Sequence, residues 1–429
     1  MRRSGVLWAS LAIFGVAFAF RIFVTVRFIG IKAPPKHSAA PDQTDYELYA
    51  YRLSQGWGYT GADGQYTAKK PPGTSLSLTP VYCILGRSFF AARIWFCLLS
   101  AATCLAVFVL GSQLRDARVA LISAGWFAVY PGSFAYCLHF LSEVPFSLYV
   151  ACATATTVAC LRRSSVPWAI VAGACWGMAI LTRGQLVFIL PLPWVAVIWN
   201  RRVREKYSRI LTLQTAVTVV IVGAWVLRNQ ALLGKAMLTS NTGTVFWGAH
   251  NDKVFRDSAQ IGNWIPVSPF FENDPVVGNE VERNAVGWER GLEWVRNNVS
   301  RMPQLYIMKV ARLLAPFETT ENRLVYLAFG VAWLFTGPFV LIGILTTWRR
   351  DTEAWIVMML PLLATLLSAL VFYGSIRIRD SIASIYVVFA AAGVVYAWDR
   401  LRGKPRGVSR RDTALEPRSA ACVVLPPRQ

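Results

Sequence analysis

The sequence of 429 residues is 55% hydrophobic and only 16% charged, and its mean hydropathy is +0.42. This apolar surface exceeds what one soluble core can bury, so the composition excludes an ordinary soluble domain and predicts a protein that spans a bilayer. The net charge of +21 would suggest nucleic-acid binding in a soluble protein. Here the basic residues stand at the ends of apolar segments, where they set membrane topology.

Ten apolar segments predict membrane-spanning helices. They are residues 6–26, 94–112, 119–136, 144–161, 166–181, 185–199, 210–227, 324–347, 354–372 and 383–398. Arg2 and Arg3 before the first segment also fit a signal peptide, but apolar residues continue past Arg21 and favour an uncleaved anchor. Since no segment shows the alternation of an outer-membrane barrel, the predicted fold class is an all-α polytopic membrane protein.

A further apolar segment, residues 73–86, decides the topology. If it does not cross, the short loops on the amino-terminal side carry most basic residues, as the positive-inside rule requires. These are Arg2 with Arg3, Arg115 with Arg118, Arg162 with Arg163, the basic run 201–209, Arg349 with Arg350, and the tail. We therefore predict a re-entrant or surface helix in the outer interface, anchored by Tyr82, Phe89 and Phe90. Both termini then lie in the cytoplasm, and the protein lies in the inner or plasma membrane.

The same topology divides the chain into a transmembrane module, residues 1–398, and a basic cytoplasmic tail, residues 399–429, whose composition predicts disorder. Two regions of the module lie outside: a first outer loop, residues 27–93, and a large outer loop, residues 228–323. The large loop contains a predicted amphipathic helix. Its apolar positions are Val281, Ala285, Trp288, Leu292 and Val295.

Three acids crowd the first outer loop, namely Asp42, Asp45 and Glu47. Thr44 and Glu47 have the spacing of a helix capping box, which would give these acids a structural role. A capping role explains the presence of Glu47, but it does not explain why three acids lie within six residues. One of them could instead act as a general base.

Two lysines, Lys69 and Lys70, precede the rigid turn at Pro71 and Pro72. Snorkelling toward lipid headgroups is one interpretation, and a fixed contact to a phosphate is the other.

Single charges recur on the same predicted outer face. They are Glu143, Arg183, Arg228 beside Asn229, Arg377 and Arg379. Arginines outside oppose the topology rule, and a shared anionic ligand in the outer leaflet would explain them. Two structural alternatives remain: Glu143 could only complement a helix dipole, and Asp380 could pair with either neighbouring arginine.

These motifs follow a recognisable order. After an Asp in the first outer loop come Tyr49 and Leu53, Lys70-Pro71-Pro72, Ala91-Ala92-Arg93, Ser142-Glu143, Leu181-Thr182-Arg183, Trp225 to Asn229, and Arg377-x-Arg379. In this order they resemble the GT-C glycosyltransferases of the protein O-mannosyltransferase and aminoarabinose-transferase type, glycosyltransferase family 39, over residues 40–395. The resemblance implies a GT-C-like bundle and metal-independent transfer of a sugar from a polyprenyl-phosphate donor to an acceptor on the outer face.

The resemblance also implies which acid is the base. The family's essential acid maps best onto Asp45, since Tyr49 and Leu53 follow it at the family's spacing, and Asp42 is the fallback. Relatives often have two adjacent acids here, whereas Tyr46 follows Asp45 in this chain, so the role of Glu47 stays open.

On this model Asp45 takes the proton of the acceptor hydroxyl, a step typically worth about 10²–10⁴-fold, and displacement from the opposite face inverts the anomeric centre. The family's lysine maps onto Lys70, and Lys69 stands where relatives often have another residue. Cations would stabilise the departing phosphate. The candidates are Lys70, Lys69, Arg183, Arg228, Arg377 and Arg379, with Glu143, Asn229 and Tyr49 in support.

The expected partners are the lipid-linked donor, membrane lipids and an acceptor glycan, lipid or protein, without nucleic acid. No cofactor is expected, although the sequence does not exclude a divalent metal. Seven of the eight cysteines lie within or beside apolar segments without CxxC spacing, which favours neither a disulfide framework nor a metal site. Two alternatives stay open: a transporter or flippase of a lipid-linked glycan, and a non-catalytic polyprenyl-phosphate binder.

Overall fold

The structure, a computed structural model, describes residues 3–199, 201–267, 278–317 and 323–403. Within these residues it is all-α apart from one isolated β-bridge between Thr60 and Tyr66. The predicted fold class, an all-α polytopic membrane protein, is therefore confirmed. Residues 404–429 of the tail lie outside the described residues, so their disorder stays a prediction.

The helices, numbered in chain order, are joined mostly by short loops. They are α1 (Arg3–Phe28), α2 (Pro41–Ser54), α3 (Gly73–Leu85), α4 (Phe89–Leu114), α5 (Ala117–Val129), α6 (Pro131–Phe134), α7 (Glu143–Arg163), α8 (Val166–Thr182), α9 (Leu192–Trp199), α10 (Arg201–Leu233), α11 (Thr242–Ala249), α12 (Asp252–Arg256), α13 (Glu280–Asn297), α14 (Met302–Leu314), α15 (Arg323–Thr347), α16 (Thr352–Val371), α17 (Ile376–Asp380) and α18 (Ala383–Leu401). Short 3₁₀ turns cover Ala135–Leu138, Gly184–Ile189 and Val299–Arg301.

Seven of these helices are long and apolar enough to cross a bilayer, namely α1, α4, α7, α10, α15, α16 and α18. An eighth candidate is the pair Ala117–Val129 and Pro131–Leu138, which is bent by 67°. The two other predicted crossings form the shorter apolar helices Val166–Thr182 and Gly184–Val195. All ten predicted segments are thus helical, but three of them are bent or short.

Helix α3 covers the segment that decided the predicted topology. Its 13 residues extend about 20 Å, which is less than the roughly 30 Å of a hydrocarbon core. It packs against α2, α4 and α8. Tyr82 is not the interfacial anchor that the sequence predicts, because it is buried and its hydroxyl donates to Glu47 at 2.9 Å.

The core of the bundle centres on α18, where every residue from Ala383 to Gly393 is buried. Gly343 of α15 and Gly393 of α18 lie where these helices cross, and a Cβ on either would collide with the backbone of the other helix. Within a membrane, helix association relies on such close packing, because lipid tails are as apolar as the helices.

The large outer loop contains the predicted amphipathic helix. It is α13, which begins with a capping box formed by Asn279 and Glu282 and packs against α11. Helix α14 follows, and its Leu313 packs against Ala369 near the end of α16. The loop therefore rests on the end of the bundle where α16 finishes.

Charged residues lie at the two ends of the bundle. At one end Arg115, just after α4, binds Asp399 near the end of α18 at 2.6 Å, and Arg162 in the last turn of α7 pairs with Asp351. Glu143 starts α7, so it lies at the opposite end from Arg162. The described parts of the arginine-rich loops thus meet at one end, and the candidate acid Glu143 lies at the other.

A buried arginine stabilises the bend between α5 and α6. Arg21 of α1 is 1% exposed, and its guanidinium donates to the Ala128 carbonyl at 3.1 Å and to the Ser133 hydroxyl at 3.0 Å, on the two sides of the bend. It also donates to Ser100 of α4 at 2.7 Å. The guanidinium therefore pairs backbone and hydroxyl groups that cannot find water inside the bundle.

We predict that Arg21→Met lowers the free energy of unfolding by about 1–3 kcal/mol, because the Ala128 carbonyl becomes a buried acceptor without a donor. The measurement is the melting temperature of purified protein in detergent. Arg27→Met, an exposed site on the same helix, is the matched control and should melt like the wild type. Equal melting of Arg21→Met and the wild type would contradict the assignment.

Candidate active site

Five parts of the chain that lie far apart in sequence meet at one end of the bundle. They are the first turns of α2, the segment before α3, the start of α7, the turn after α8, and α17. Together they form a charge cluster of seven predicted site residues, namely Asp42, Asp45, Lys69, Lys70, Glu143, Arg183 and Arg377.

Arg377 occupies the centre of the charge cluster. Its Nε and Nη2 donate to the two oxygens of Glu143, with Nη2 at 3.3 Å from Oε2, and its Nη1 donates to Oδ2 of Asp42 at 2.9 Å. The Ser375 hydroxyl caps α17 by accepting from the backbone of Ile378 at 3.3 Å, which fixes the turn that presents Arg377. One guanidinium therefore joins α2 of the first outer loop to the start of α7.

Glu143 is 2% exposed, and a lone carboxylate at such a site would be costly to keep charged. A second guanidinium compensates it, because Nη1 of Arg183 lies 2.7 Å from its Oε1. Arg183 is itself oriented by the Ser142 hydroxyl at 3.0 Å and by Gln185 at 3.1 Å. Glu143 thus does more than complement a helix dipole: it holds Arg183 and Arg377 side by side.

Asp42, in the first turn of α2, lies between Lys70 and Arg377. Burial opposes the charge of this carboxylate, but together the two cations outweigh burial and hold the pKa of Asp42 well below its ordinary value. The Tyr59 hydroxyl donates to the Lys70 carbonyl at 3.0 Å and fixes the lysine's backbone. Asp42 therefore stays charged near neutral pH and links the two cations.

Asp45 lies one turn further along α2 and pairs with Lys69 at 3.1 Å. The side chain of Lys69 is 56% exposed and that of Asp45 is 23% exposed, so this ion pair opens to solvent. Exposed pairs of this kind contribute only about 0–1 kcal/mol and exchange partners readily. Asp45 is thus held less tightly than Asp42 or Glu143.

Glu47 does not join the charge cluster. Helix α2 begins at Pro41, so Thr44 lies inside the helix and donates to the Pro41 carbonyl at 2.9 Å, and the predicted capping box is wrong. Glu47 is buried on another face, where Arg87 donates to both its oxygens and Tyr82 donates at 2.9 Å. The geometry gives Glu47 a structural role, fixing α2 to the turn before α4, in place of the predicted catalytic one.

Arg228 and Asn229 also lie outside the charge cluster. Arg228 donates to the carbonyls of Thr67 and Tyr59, both at 2.9 Å, and to the Asn229 side chain at 2.8 Å. Arg228 thus supports the backbone here, and its predicted phosphate contact stays a prediction. The arginine fixes the chain two residues before Lys69.

Arg379 points away from the charge cluster and pairs with Asp380 at 2.8 Å, both side chains being buried. The hydroxyls of Tyr386 and Tyr130 donate to the same carboxylate at 2.8 Å and 3.3 Å. The structural ion pair that the sequence left as an alternative is therefore confirmed for Arg379, and its phosphate-binding role is not supported. Arg377 faces the charge cluster because it lies two residues earlier on the same helical turn.

Two tyrosines of α2 are buried beside the charge cluster. Burial and the charge of Asp42 raise the pKa of Tyr46, so its hydroxyl stays protonated. The ring of Tyr49 lies 4.6 Å from that of Tyr59, and burial likewise raises the pKa of Tyr49. Tyr49 therefore supports the loop by packing.

Glu280, the first residue of α13, is a site residue that the sequence interpretation missed. Its carboxylate accepts from the Thr67 hydroxyl at 2.6 Å and from the backbone N–H of Ala68 at 2.7 Å. The large outer loop thus binds the first outer loop immediately before Lys69 and Lys70. Nothing in the spacing of the sequence signals a contact between residues more than 200 positions apart.

The charge cluster contains four cations and three carboxylates, which leaves one net positive charge for an anionic ligand. Among the described residues, no group of three or more His, Cys, Asp or Glu side chains is arranged to hold a metal ion. The arrangement can bind one negative charge, and Asp45 can accept a proton from a nearby group.

The stability that Asp42 contributes should depend on pH. Because its pKa is depressed in the folded state, this contribution is fully present above the ordinary carboxyl pKa of about 3.9 and is lost as the pH falls toward the lower folded value. We expect the wild type to melt above Asp42→Asn at neutral pH, and the difference to shrink below about pH 4. Thermal unfolding over a pH series measures this.

The exposed carboxylate of Asp63 in the same loop provides the matched control, Asp63→Asn, for which we expect no comparable pH-dependent gap. A gap between the wild type and Asp42→Asn that stays constant down to about pH 3 would argue against the ion pairs of Asp42.

We also predict that Glu280→Ala loosens the lysine segment, because Thr67 and Ala68 lose their shared acceptor. Limited digestion with trypsin, which cuts after Lys69 but is blocked after Lys70 by the following proline, should become faster. Glu280→Gln keeps one acceptor oxygen, so its cleavage rate should lie between those of the wild type and Glu280→Ala. Glu289→Ala, at an exposed position of the same helix, should be digested like the wild type. Unchanged cleavage in Glu280→Ala would remove the positioning role.

Comparisons with known proteins agree with the motifs. Residues 69–227 match the family model described as dolichyl-phosphate-mannose-protein mannosyltransferase. This stretch contains Lys69, Lys70, Glu143 and Arg183 of the charge cluster, whereas the remaining three members lie outside it. No curated protein matches the sequence significantly.

Solved structures of an archaeal enzyme share the fold at low sequence identity. The archaeal oligosaccharyltransferase AglB from Archaeoglobus fulgidus, in complex with an inhibitory peptide and a dolichol-phosphate, aligns with 94% of this chain and 53% of its own, at 14% identity and a TM-score of 0.52. Its apo form aligns over the same shares at 15% identity, with a TM-score of 0.54. ArnT from Cupriavidus metallidurans in the apo state aligns over 94% of this chain and 80% of its own at 15% identity, with a TM-score of 0.41.

This chain spans about half the length of the archaeal enzyme. The structural likeness and the family model point in the same direction as the order of the motifs. The protein therefore has the GT-C fold and resembles, most clearly over residues 69–227, the dolichyl-phosphate-mannose-protein mannosyltransferases.

Proposed function

We propose that this protein is a membrane glycosyltransferase that moves a sugar from a polyprenyl-phosphate donor to an acceptor hydroxyl on the extracytoplasmic face. One observation carries the proposal: Asp45 and Asp42 project from successive turns of one helix toward Lys69 and Lys70, beside Arg377. An acid available for a proton thus lies next to cations available for a phosphate.

The net charge of the cluster suits this donor. A sugar joined to a polyprenyl phosphate is a phosphodiester with one negative charge, and the charge cluster has one positive charge in excess. When the bond from the anomeric carbon to the phosphate oxygen breaks, negative charge grows on the leaving phosphate. Fixed cations in a partly dry site stabilise that charge without reorganising during the reaction.

Asp45 is the better base. Protonating Asp42 would release two cations from their shared carboxylate, and its depressed pKa reflects that cost. Asp45 gives up only an exposed pair with Lys69, which the donor phosphate can replace. Asp45 then takes the acceptor proton while the acceptor oxygen forms a bond to the anomeric carbon and the polyprenyl phosphate leaves. Attack from the opposite face inverts the anomeric centre.

The positive-inside rule supports the sidedness. The pairs of Arg115 and Arg162 lie at the end of the bundle opposite Glu143, and such arginine-rich loops normally face the cytoplasm. The charge cluster then faces the outside of the inner or plasma membrane. The dolichol-phosphate in the AglB complex and the name of the matching family also favour a lipid-linked donor.

The test is transfer or hydrolysis of radiolabelled polyprenyl-phosphate sugars by the purified protein. Asp45→Asn should lower turnover by about 10²–10⁴-fold with donor binding retained, because the proton acceptor is lost and the cations remain. Lys70→Met should mainly raise the KM for the donor. Asp63→Asn, an exposed carboxylate of the same loop that does not belong to the charge cluster, is the matched control.

Undiminished turnover by Asp45→Asn would contradict the assignment of Asp45 as the general base. If only Asp42→Asn lost turnover while folding normally, Asp42 would be the base. Flux of intact donor across a membrane without bond cleavage would favour the flippase. Donor binding without any cleavage by the wild type would favour the non-catalytic binder.

A further inference from the structure

A second polar site lies beside α2, on a different face from the charge cluster. It is a cavity of about 110 Å³ between the end of α1, the first outer loop and the turn after α6. Four polar side chains line it, namely Lys36, Gln43, Arg93 and His139, and the apolar residues Phe28, Ile29 and Pro34 complete one side. A single water needs only about 10–15 Å³, so the cavity has room for a polar headgroup.

Arg93 brings a buried charge to this cavity without an acid to compensate it. It is 1% exposed, and its guanidinium donates to the Ala33 carbonyl at 2.7 Å and 3.1 Å and to the Leu138 carbonyl at 2.7 Å. Among the described residues, no carboxylate lies within ion-pair distance of it. The ring of Phe140 also lies 4.9 Å from the Arg93 guanidinium. A buried cation held by carbonyls and a ring, without a carboxylate, is stabilised when an anion binds next to it.

Gln43 supplies an independent observation. Its side chain is 1% exposed, and its Nε2 donates to the Lys36 carbonyl at 2.8 Å. That bond fixes the orientation of the amide, so Oε1 must be the other atom. Within the described parts of the chain, Oε1 has no hydrogen-bond partner. A buried acceptor without a donor costs about 1–3 kcal/mol, and a ligand hydroxyl would satisfy it.

The remaining polar groups also suit an anion with hydroxyls. Lys36 is exposed at the rim of the cavity. Burial and the charges of Arg93 and Arg377 lower the pKa of His139, so its imidazole is neutral near neutral pH and offers one donor and one acceptor. The cavity therefore presents cationic donors, a neutral ring and one unsatisfied acceptor.

The apolar residues of the cavity lie at the end of a predicted membrane span. Phe28 is the last residue of the predicted span α1, and it is 67% exposed. Ile29 follows it and also lines the cavity, so a ligand with its polar group in the cavity can keep an acyl chain along the end of α1. This position distinguishes a lipid headgroup from a free anion.

We propose that this cavity binds the headgroup of an anionic lipid that carries both a phosphate and a hydroxyl. The phosphate lies against Arg93 and Lys36, and a headgroup hydroxyl donates to Oε1 of Gln43. The site is separate from the proposed donor site, although Gln43 directly follows Asp42 on α2. An occupied cavity would therefore hold the first turn of α2 in the position that Asp42 requires.

The experiment is native mass spectrometry of the purified protein in detergent, titrated with phosphatidylglycerol or with phosphatidylcholine. We expect preferential retention of phosphatidylglycerol. Lys36→Ala should weaken that retention about fivefold through the lost cation, and Ala39→Trp, which places a bulky ring at the cavity, should abolish it. Lys32→Ala, with the same change of charge at an exposed lysine that does not line the cavity, should bind like the wild type.

Equal weakening by Lys32→Ala and Lys36→Ala would assign the effect to general surface charge and overturn the site. Retention of phosphatidylglycerol by Ala39→Trp would show that the lipid does not bind in this cavity. Competition by inorganic phosphate at equal concentration would assign the site to a free anion in place of a lipid. Because the readout is lipid retention, these outcomes are independent of whether the protein transfers a sugar.

Discussion

The ion pairs of Arg377 tie together parts of the chain that no local structure joins. Its guanidinium holds Glu143 at the start of α7 and Asp42 in the first turn of α2, while Arg183 from the turn after α8 holds the same Glu143. Such buried pairs can cost as much in desolvation as they return in attraction, so their value lies more in specifying one arrangement than in raw stability. The site depends on this arrangement, because it fixes where the cations lie before any ligand arrives.

The supports of the lysine segment illustrate the same principle. Arg228 donates to the carbonyl of Thr67, Glu280 accepts from the Thr67 hydroxyl and the Ala68 N–H, and the Tyr59 hydroxyl donates to the carbonyl of Lys70. The segment lacks regular secondary structure, so these contacts replace the helical hydrogen bonds that would otherwise keep it in place. Positively charged side chains on a fixed backbone can act as a preorganised site for a phosphate, which is what the proposed reaction requires.

The interior of the bundle imposes a second constraint, which is that its buried polar groups must be hydrogen-bonded. Polar groups buried among apolar helices need partners within the protein, and Arg21 provides them at the bend after α5. Arg93 resembles Arg21 in being buried with carbonyl partners, but it lines a cavity and has an unsatisfied acceptor, Gln43, beside it. That difference separates a structural arginine from one that offers a binding site.

Much of the fold could be predicted from the sequence because the bilayer demands about 20 apolar residues for each span and a sorted distribution of charge. These rules located the helices, indicated from the charge of the loops that α3 does not cross, and grouped Asp45, Lys70, Glu143, Arg183, Arg228 and Arg377 on one side. The amphipathic period likewise predicted α13. Each of these patterns is local, so no knowledge of packing was needed.

Tertiary structure alone decided which charges pair. Sequence spacing could not distinguish Arg377 from Arg379, yet the first faces Glu143 and the second faces Asp380. Sequence spacing also predicted a capping role for Glu47, whereas in the structure Glu47 is buried and pairs with Arg87. An ion pair depends on distances of a few ångströms between helices that lie far apart in the sequence. Hydropathy and charge sorting predict only on which side of the membrane a residue lies. The sequence by itself thus determined a membrane bundle with its acids and selected cations at one end, and packing determined which of them form the site.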